Sequence, residues 1–178
     1  MKKLIFSLFL IPATFSAQKT VSRDAEIANY VSQVSADSLK SHINKLVSFG
    51  TRHTMSSTTD AKKGIGAARN WVLSKFKNYA KNSDGRMEVF LNNETIQPDG
   101  KRINQPTDLG NAIAILRGTD PNDKRIFMIG GHLDSRVSDV MNAKDFAPGA
   151  NDDGSGVGAV IESARILSQS RFPATIVF

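Results

Sequence analysis

From residue 24 onward, apolar positions recur at helical spacing three times before any strand pattern begins. Ile27, Val31 and Val34 recur helically in DAEIANYVSQV and predict a first helix over 24–34. Leu39, Ile43, Leu46 and Val47 form one stripe. They predict a second helix over 38–49, with Asp37 or Ser38 as its cap and Gly50 as its stop. TRHTMSSTTD is polar and reads as a loop. A third helix over 61–79 carries Ile65, Ala68, Val72 and Phe76 on one side.

The period then changes. RMEVFL (86–91) predicts a strand, and NAIAILRG (111–118) a second β-rich run. The stretch between them is rich in turn residues, with Pro98-Asp99-Gly100 the clearest turn. RIFMIGG (125–131) is apolar without alternation, as in a strand covered on both faces. A fourth helix over 154–169 places Val157, Val160, Ile161, Ala164 and Leu167 on one side, and ATIVF (174–178) is another strand. Helices first, then strands alternating with a helix, predict an α/β fold: a mixed, mostly covered β-sheet flanked by helices.

The first residues stand outside that pattern. MKKLIFSLFLIPATFSAQ opens on Lys2 and Lys3, continues with a short apolar stretch from Leu4 to Ile11, and ends in small residues. This is the layout of a secretory signal peptide, with cleavage after Ser16 or Ala17. The apolar stretch is far shorter than the roughly 20 residues a membrane span needs, so stable membrane insertion is not expected. Residues 1–17 are accordingly read as a signal peptide and 18–178 as the domain, secreted or periplasmic. Losing Lys2 and Lys3 would lower the formal charge from +6 to +4. The remaining basic residues, such as Lys62, Lys63, Arg69, Lys75, Lys77 and Lys81, are scattered without interleaved aromatics. They read as solvated helix faces and exclude a nucleic-acid patch. With no cysteine in the chain, a metal site must use histidine and carboxylates.

Two motifs carry candidate chemistry. In GGHLDSR (130–136), His132 lies at the carboxyl end of the apolar run, where open α/β sheets bind ligands. Asp134 is two residues on, so in extended chain both side chains point the same way. A carboxylate there can accept one ring N–H and leave the other nitrogen free for a metal. Alone, a polar strand end facing solvent explains the same residues. The second motif, APGANDDGSG (147–156), sets Asn151, Asp152 and Asp153 before a helix. One aspartate suffices as a helix cap, a role that falls to Asp153, and Asp152 is left over. An EF-hand fails, because aligning Gly154 with its invariant glycine puts Gly149 first and Val160 last. A nucleophile elbow fails because Asp153 stands where glycine is needed. A dinucleotide loop fits Gly154-x-Gly156-x-x-Ala159 formally, but it should follow directly on a strand, and two aspartates would repel a pyrophosphate. A hard-ligand metal site of one His and carboxylates remains, and Zn²⁺ accepts both ligand types.

Together the two motifs resemble the secreted di-zinc aminopeptidase family, related to bacterial leucyl aminopeptidase and the glutamate carboxypeptidase-like enzymes. LVSFGTRHT and DLGNAIAILRG also look like that family, and the resemblance covers roughly Asp37 to Phe178. It implies His132 as the first zinc-ligand histidine, Asp134 as the carboxylate that orients it, and Asp152 as the aspartate bridging two Zn²⁺ ions. Arg52 and His53 recur in the similar pattern but receive no chemistry, and a histidine in such a loop is expected to be exposed. The resemblance implies a zinc-dependent exopeptidase, an aminopeptidase acting on a peptide substrate, with specificity for the opposite terminus left open. In the family the strand resembling ATIVF leads into a Glu-Glu pair, general base and zinc ligand, and an Asp and a His complete the metal sites. These are absent up to Phe178. Glu162, inside the fourth helix, is expected to face solvent and not to replace them. The chain therefore reads as the N-terminal part of a zinc peptidase domain, inactive alone. The alternative is a short protein that keeps the fold for metal or partner binding.

Overall fold

The computed structural model describes residues 24–178. The expected signal peptide, residues 1–17, lies outside them. Helix α1 spans Ala25–Ser32, α2 Ala36–Val47, α3 Gly64–Ala80 and α4 Gly156–Leu167. Strands β1 (Met87–Ile96), β2 (Thr107–Leu116), β3 (Ile126–Met128) and β4 (Thr175–Val177) form one mixed sheet in the order β1-β2-β4-β3. β1 and β2 are an antiparallel pair, β4 runs antiparallel to β2, and β3 is parallel to β4. The chain thus goes from β3 through α4 to β4 as a parallel crossover, which carries the residues between β3 and α4 past the carboxyl end of β3.

Every predicted helix is present, with shifted ends. α2 starts earlier than expected because Ser35, not Asp37 or Ser38, is its cap: the Ser35 hydroxyl accepts the Ser38 N–H at 3.1 Å. α3 starts at Gly64 because Asp60 holds the N–H groups of Lys62 and Lys63 in a preceding turn. The β1–β2 hairpin is longer than its apolar runs, since backbone pairing continues through Asn92↔Asn111 to Ile96↔Thr107. Asp99 closes the intervening turn by accepting the N–H groups of Lys101, Arg102 and Ile103, each at 2.9 Å.

The core joins one face of the sheet to the helices. Met87, Val89, Ala112, Ala114 and Leu116 pack with Ala68, Val72 and Phe76 of α3 and with Val157, Val160, Ile161 and Ala164 of α4. Two apolar sets do not bury as expected. Ile27 and Val31 of α1 are exposed; that helix is held by contact of the Tyr30 and Phe172 rings and by Arg165 donating to the Gln33 carbonyl. The run at 125–131 reads as doubly covered, yet Ile126, Phe127 and Met128 are 66%, 54% and 75% exposed. β3 is the edge strand, with only β4 beside it among the described residues.

Candidate functional site

The two motifs meet. After β3 the backbone makes one more sheet bond, Ile129 N–H to the Val177 carbonyl at 2.9 Å, then leaves the sheet at Gly130-Gly131. His132 follows at once. On the other side of the crossover, residues Ala150–Ser155 form a tight turn before α4, closed by the Gly154 N–H on the Gly149 carbonyl at 3.0 Å. Gly149 makes that turn possible. Its φ is +46°, and a Cβ there would lie 2.5 Å from the Ser135 Cβ and 2.9 Å from Arg52 Nη2.

His132 and Asp152, 20 residues apart in sequence, face each other with Nε2 and Oδ1 2.9 Å apart. His132 Nδ1 lies 3.2 Å from Asp134 Oδ1. The side-by-side arrangement expected for His-x-Asp is therefore present, and with the ring proton on Nδ1 it would leave Nε2 free as a donor. The Nε2 lone pair and the Asp152 oxygen are both electron-pair donors, so a positive centre, a proton or a cation, must lie between them. Burial opposes protonation of His132. The charge of Asp134, the bonds to Asp152 and Asp134 and the charge of Asp153 together outweigh it, so the ring titrates above its ordinary value.

Asp153 is committed elsewhere. Its Oδ1 accepts the Gly156 N–H at 3.1 Å, at the first turn of α4, and its Oδ2 accepts the His132 N–H at 3.0 Å. One carboxylate thus caps the helix and ties it to the histidine loop. Asp152, by contrast, has an 89% exposed side chain and bonds only to His132 among the described residues. Two donors sharing a metal at bonds of about 2.0–2.1 Å stand about 3.3 Å apart in tetrahedral geometry. The observed 2.9 Å separation needs only a few tenths of an ångström of adjustment, so this nitrogen–oxygen pair fits a zinc ion as two of its ligands. Among the described residues, no group of three or more His, Asp or Glu side chains is arranged to hold a metal. A cleft of about 410 Å³ opens beside the pair, reaching Arg69, Asn111, Gly131, His132, Asp134 and Val157.

Several side chains differ from expectation. His53 is 5% exposed rather than solvated. Its Nδ1 accepts the Met55 N–H and its Nε2 donates to the Val140 carbonyl. Both nitrogens are used, so it ties two loops together and has no lone pair free for a ligand. Arg69 is buried and donates to the Asp108 carbonyl, not a solvated cation. Glu162 does not face solvent either: it is 2% exposed, accepts the Ser35 N–H and pairs with Arg165. Helical period predicts which face a residue occupies, but not that α1 and the start of α2 cover the Glu162 face of α4. Arg52, left without a role by sequence reasoning, is 1% exposed and reaches both motif loops.

Residues 111–178 match peptidase family M28. The chain is 44% identical over 155 residues to a probable zinc metalloprotease of Pyricularia oryzae, covering 87% of this chain and 30% of that protein. A probable zinc metalloprotease of Pyrenophora teres f. teres is 46% identical over 156 residues, covering 87% and 33%. The chain spans about a third of the length of the curated relatives it matches. Among solved structures, the Legionella pneumophila LapA aminopeptidase superposes with a TM-score of 0.58 at 22% identity, over 86% of this chain and 36% of that one. Tannerella forsythia glutaminyl cyclase gives 0.58 at 21%, over 81% and 46%. These likenesses establish the shared α/β fold. The matched segment begins within β2 and contains both the His132 motif and the aspartate turn.

Proposed function

We propose that this chain supplies part of the zinc site of a secreted exopeptidase, with His132 and Asp152 as metal ligands and Asp134 as the carboxylate that orients His132. The observation that carries the reading is the 2.9 Å approach of His132 Nε2 to Asp152 Oδ1 from two separate loops. The 44–46% identity to probable zinc metalloproteases favours hydrolysis of peptides. The aminopeptidase assignment draws on the resemblance of the two motifs and on the fold shared with LapA. Export is proposed from the pattern of residues 1–17, and among the described residues no helix is long and apolar enough to cross a membrane.

Each side chain has a distinct task. Asp134 holds the Nδ1–H of His132 and so presents Nε2 as the donor. Asp152 brings negative charge to offset that of a dication, and its second oxygen is free to serve a second ion, as the resemblance implies. Asp153 fixes the histidine backbone to the start of α4. When bound, zinc supplies Lewis acidity that polarises a peptide carbonyl and makes water a stronger nucleophile at neutral pH. The adjoining cleft offers apolar walls with His132 and Asp134 at one end, a setting for a peptide terminus. Among the described residues no glutamate lines that cleft, and Glu162 is engaged with Arg165 and Ser35. We therefore infer that these 178 residues alone take up zinc without hydrolysing peptides.

Calorimetric titration of the chain with Zn²⁺ tests this reading. His132→Ala and Asp152→Asn should each weaken zinc binding by more than tenfold, while hydrolysis of an aminoacyl anilide stays at background. Unchanged affinity in both variants would remove the metal site. Chelator-sensitive anilide hydrolysis by the wild-type chain would instead refute the inference that it lacks a general base.

A further inference from the structure

Arg52 is 1% exposed, yet among the described residues no carboxylate pairs with it. Its guanidinium is satisfied by backbone carbonyls. Nε donates to Leu133 at 2.8 Å, Nη1 to Leu46 at 3.1 Å and Pro148 at 2.8 Å, and Nη2 to Gly149 at 3.0 Å. Burying a cation without a counter-ion is costly, and a simple loop anchor could be neutral. The positions of those carbonyls explain the choice. Leu133 lies between His132 and Asp134; Pro148 and Gly149 lead into the turn that carries Asp152. Leu46, in the last turn of α2, anchors the far side.

The backbone of Arg52 strengthens the same clamp. Its N–H donates to the Ser135 hydroxyl at 3.0 Å, its carbonyl accepts the Ser135 N–H at 3.3 Å, and the Ser135 hydroxyl donates to the Ala147 carbonyl at 2.7 Å. Among the described residues, every hydrogen bond between the histidine loop and the aspartate turn, apart from those of Asp152 and Asp153 to His132, passes through Arg52 or Ser135. A guanidinium suits this task because it offers five N–H donors in a rigid plane. A lysine ammonium, with three donors at one point, cannot reach three chain segments at once.

We propose that Arg52 is a positioning residue that sets the separation of His132 and Asp152 before a metal arrives, by tying the histidine loop and the aspartate turn to one guanidinium. The charge of Asp134 favours the buried guanidinium and offsets part of the cost of its burial. This inference rests on the proposed zinc site.

The test compares Arg52→Met and Arg52→Lys with the wild-type 178-residue chain, reading zinc affinity by competition with a chromophoric chelator and the visible spectrum of bound Co²⁺. Circular dichroism reports folding. Leu116→Ala, a core truncation in β2 remote from both loops, serves as the destabilised control. Folded Arg52→Met should bind zinc roughly 10- to 100-fold more weakly with an altered cobalt spectrum, and Arg52→Lys should fall between it and the wild type. Leu116→Ala should melt earlier yet keep wild-type affinity while folded. Wild-type affinity and spectrum in the folded Arg52 variants would overturn the inference while leaving the zinc site standing. If His132→Ala binds zinc as tightly as the wild type, the underlying site fails instead. Should Arg52→Met not fold, Arg52→Lys and Ser135→Ala decide by the same criterion, and unchanged affinity in both overturns the proposal.

Discussion

Glu162→Gln is the most informative single change outside the proposed site. Glu162 sits on the face of α4 that meets α2 and the end of α1. Its carboxylate accepts the Ser35 N–H at 2.9 Å and two guanidinium N–H groups of Arg165, at 2.9 and 2.7 Å. His42 Nε2 is 4.0 Å away. Glutamine keeps the size and one acceptor, so the Ser35 bond can survive. Oε1 accepts from both Ser35 and Arg165 Nη2, so what is lost is the bond from Arg165 Nε to Oε2 and the negative charge that strengthens the other, a charge-assisted bond being worth about 1.5–3 kcal/mol. The Arg165 side chain is 33% exposed, so its freed guanidinium recovers part of that from water. A net loss of about 2–3 kcal/mol at pH 7 follows, or about 4–12 °C in melting temperature for a domain of this size.

The pH dependence gives the sign. The bonds from Arg165, set against burial, hold Glu162 below its ordinary value, with the Ser35 N–H and the charges of Arg165 and His42 adding to the effect. A depressed carboxylate contributes stability that is present above its unfolded value of 4.5 and is lost as pH falls through its folded value. The wild-type advantage over Glu162→Gln should therefore be full at pH 7 and shrink below about pH 4.5. Trp71 is the only tryptophan and packs edge-on to His42, so its fluorescence in urea titrations at pH 7 and pH 3.5 reads the difference directly. A gap below about 0.5 kcal/mol at pH 7, the ordinary scatter of surface substitutions, would refute the reasoning. So would a gap that does not narrow at pH 3.5.

Four further outcomes are expected. Burial holds His42 below its ordinary value of 6.5, with Lys75 and Arg165 opposing its charge and Glu162 favouring it; the unfolded chain then binds the proton more readily, so stability should decline as pH drops below 6.5, and His42→Leu should flatten that limb of the urea-midpoint profile. Gly149→Ala meets both a positive φ and the Ser135 side chain, and should cost about 2 kcal/mol or more by thermal melting while weakening zinc uptake in the titration. Ile161→Ala, at a wholly buried position of α4, should cost about 2–5 kcal/mol in the same melts. Ile27→Lys, at an exposed position of α1, should change stability by less than about 0.5 kcal/mol; a larger loss would mean that the α1 stripe is covered.

The helices were legible because burial against a single layer imposes a 3.6-residue period: Ile65, Ala68, Val72 and Phe76 show it in sequence and are all buried. The meeting of the two motifs was legible for a different reason. Two adjacent aspartates before a helix exceed what one cap requires, and a histidine at a strand end is where a crossover returns. Arg52 and Glu162 were not legible, because nothing local marks a charged residue as buried. Arg52 is satisfied by carbonyls from positions 46, 133, 148 and 149, a set that only tertiary structure assembles. The reading of 125–131 erred the other way. An unbroken apolar run reports a demand for cover on both faces, and β3 instead stands at the sheet edge with three exposed apolar side chains.

The choice between the two aspartates shows how hydrogen-bond accounting can allot roles within one short turn. A helix start leaves N–H groups without partners, and the residue that satisfies them gives up its freedom to do anything else. Asp153 meets that need at Gly156 and spends its other oxygen on the His132 backbone, which makes helix capping and placement of the histidine one structural event. Asp152, one residue earlier, is thereby released from local duty and projects toward the imidazole. Exchanging the two roles would leave the helix start unpaired and the histidine loop untethered. For that reason the pair acts as a unit, in which the aspartate that builds the site also frees its neighbour to be used by it.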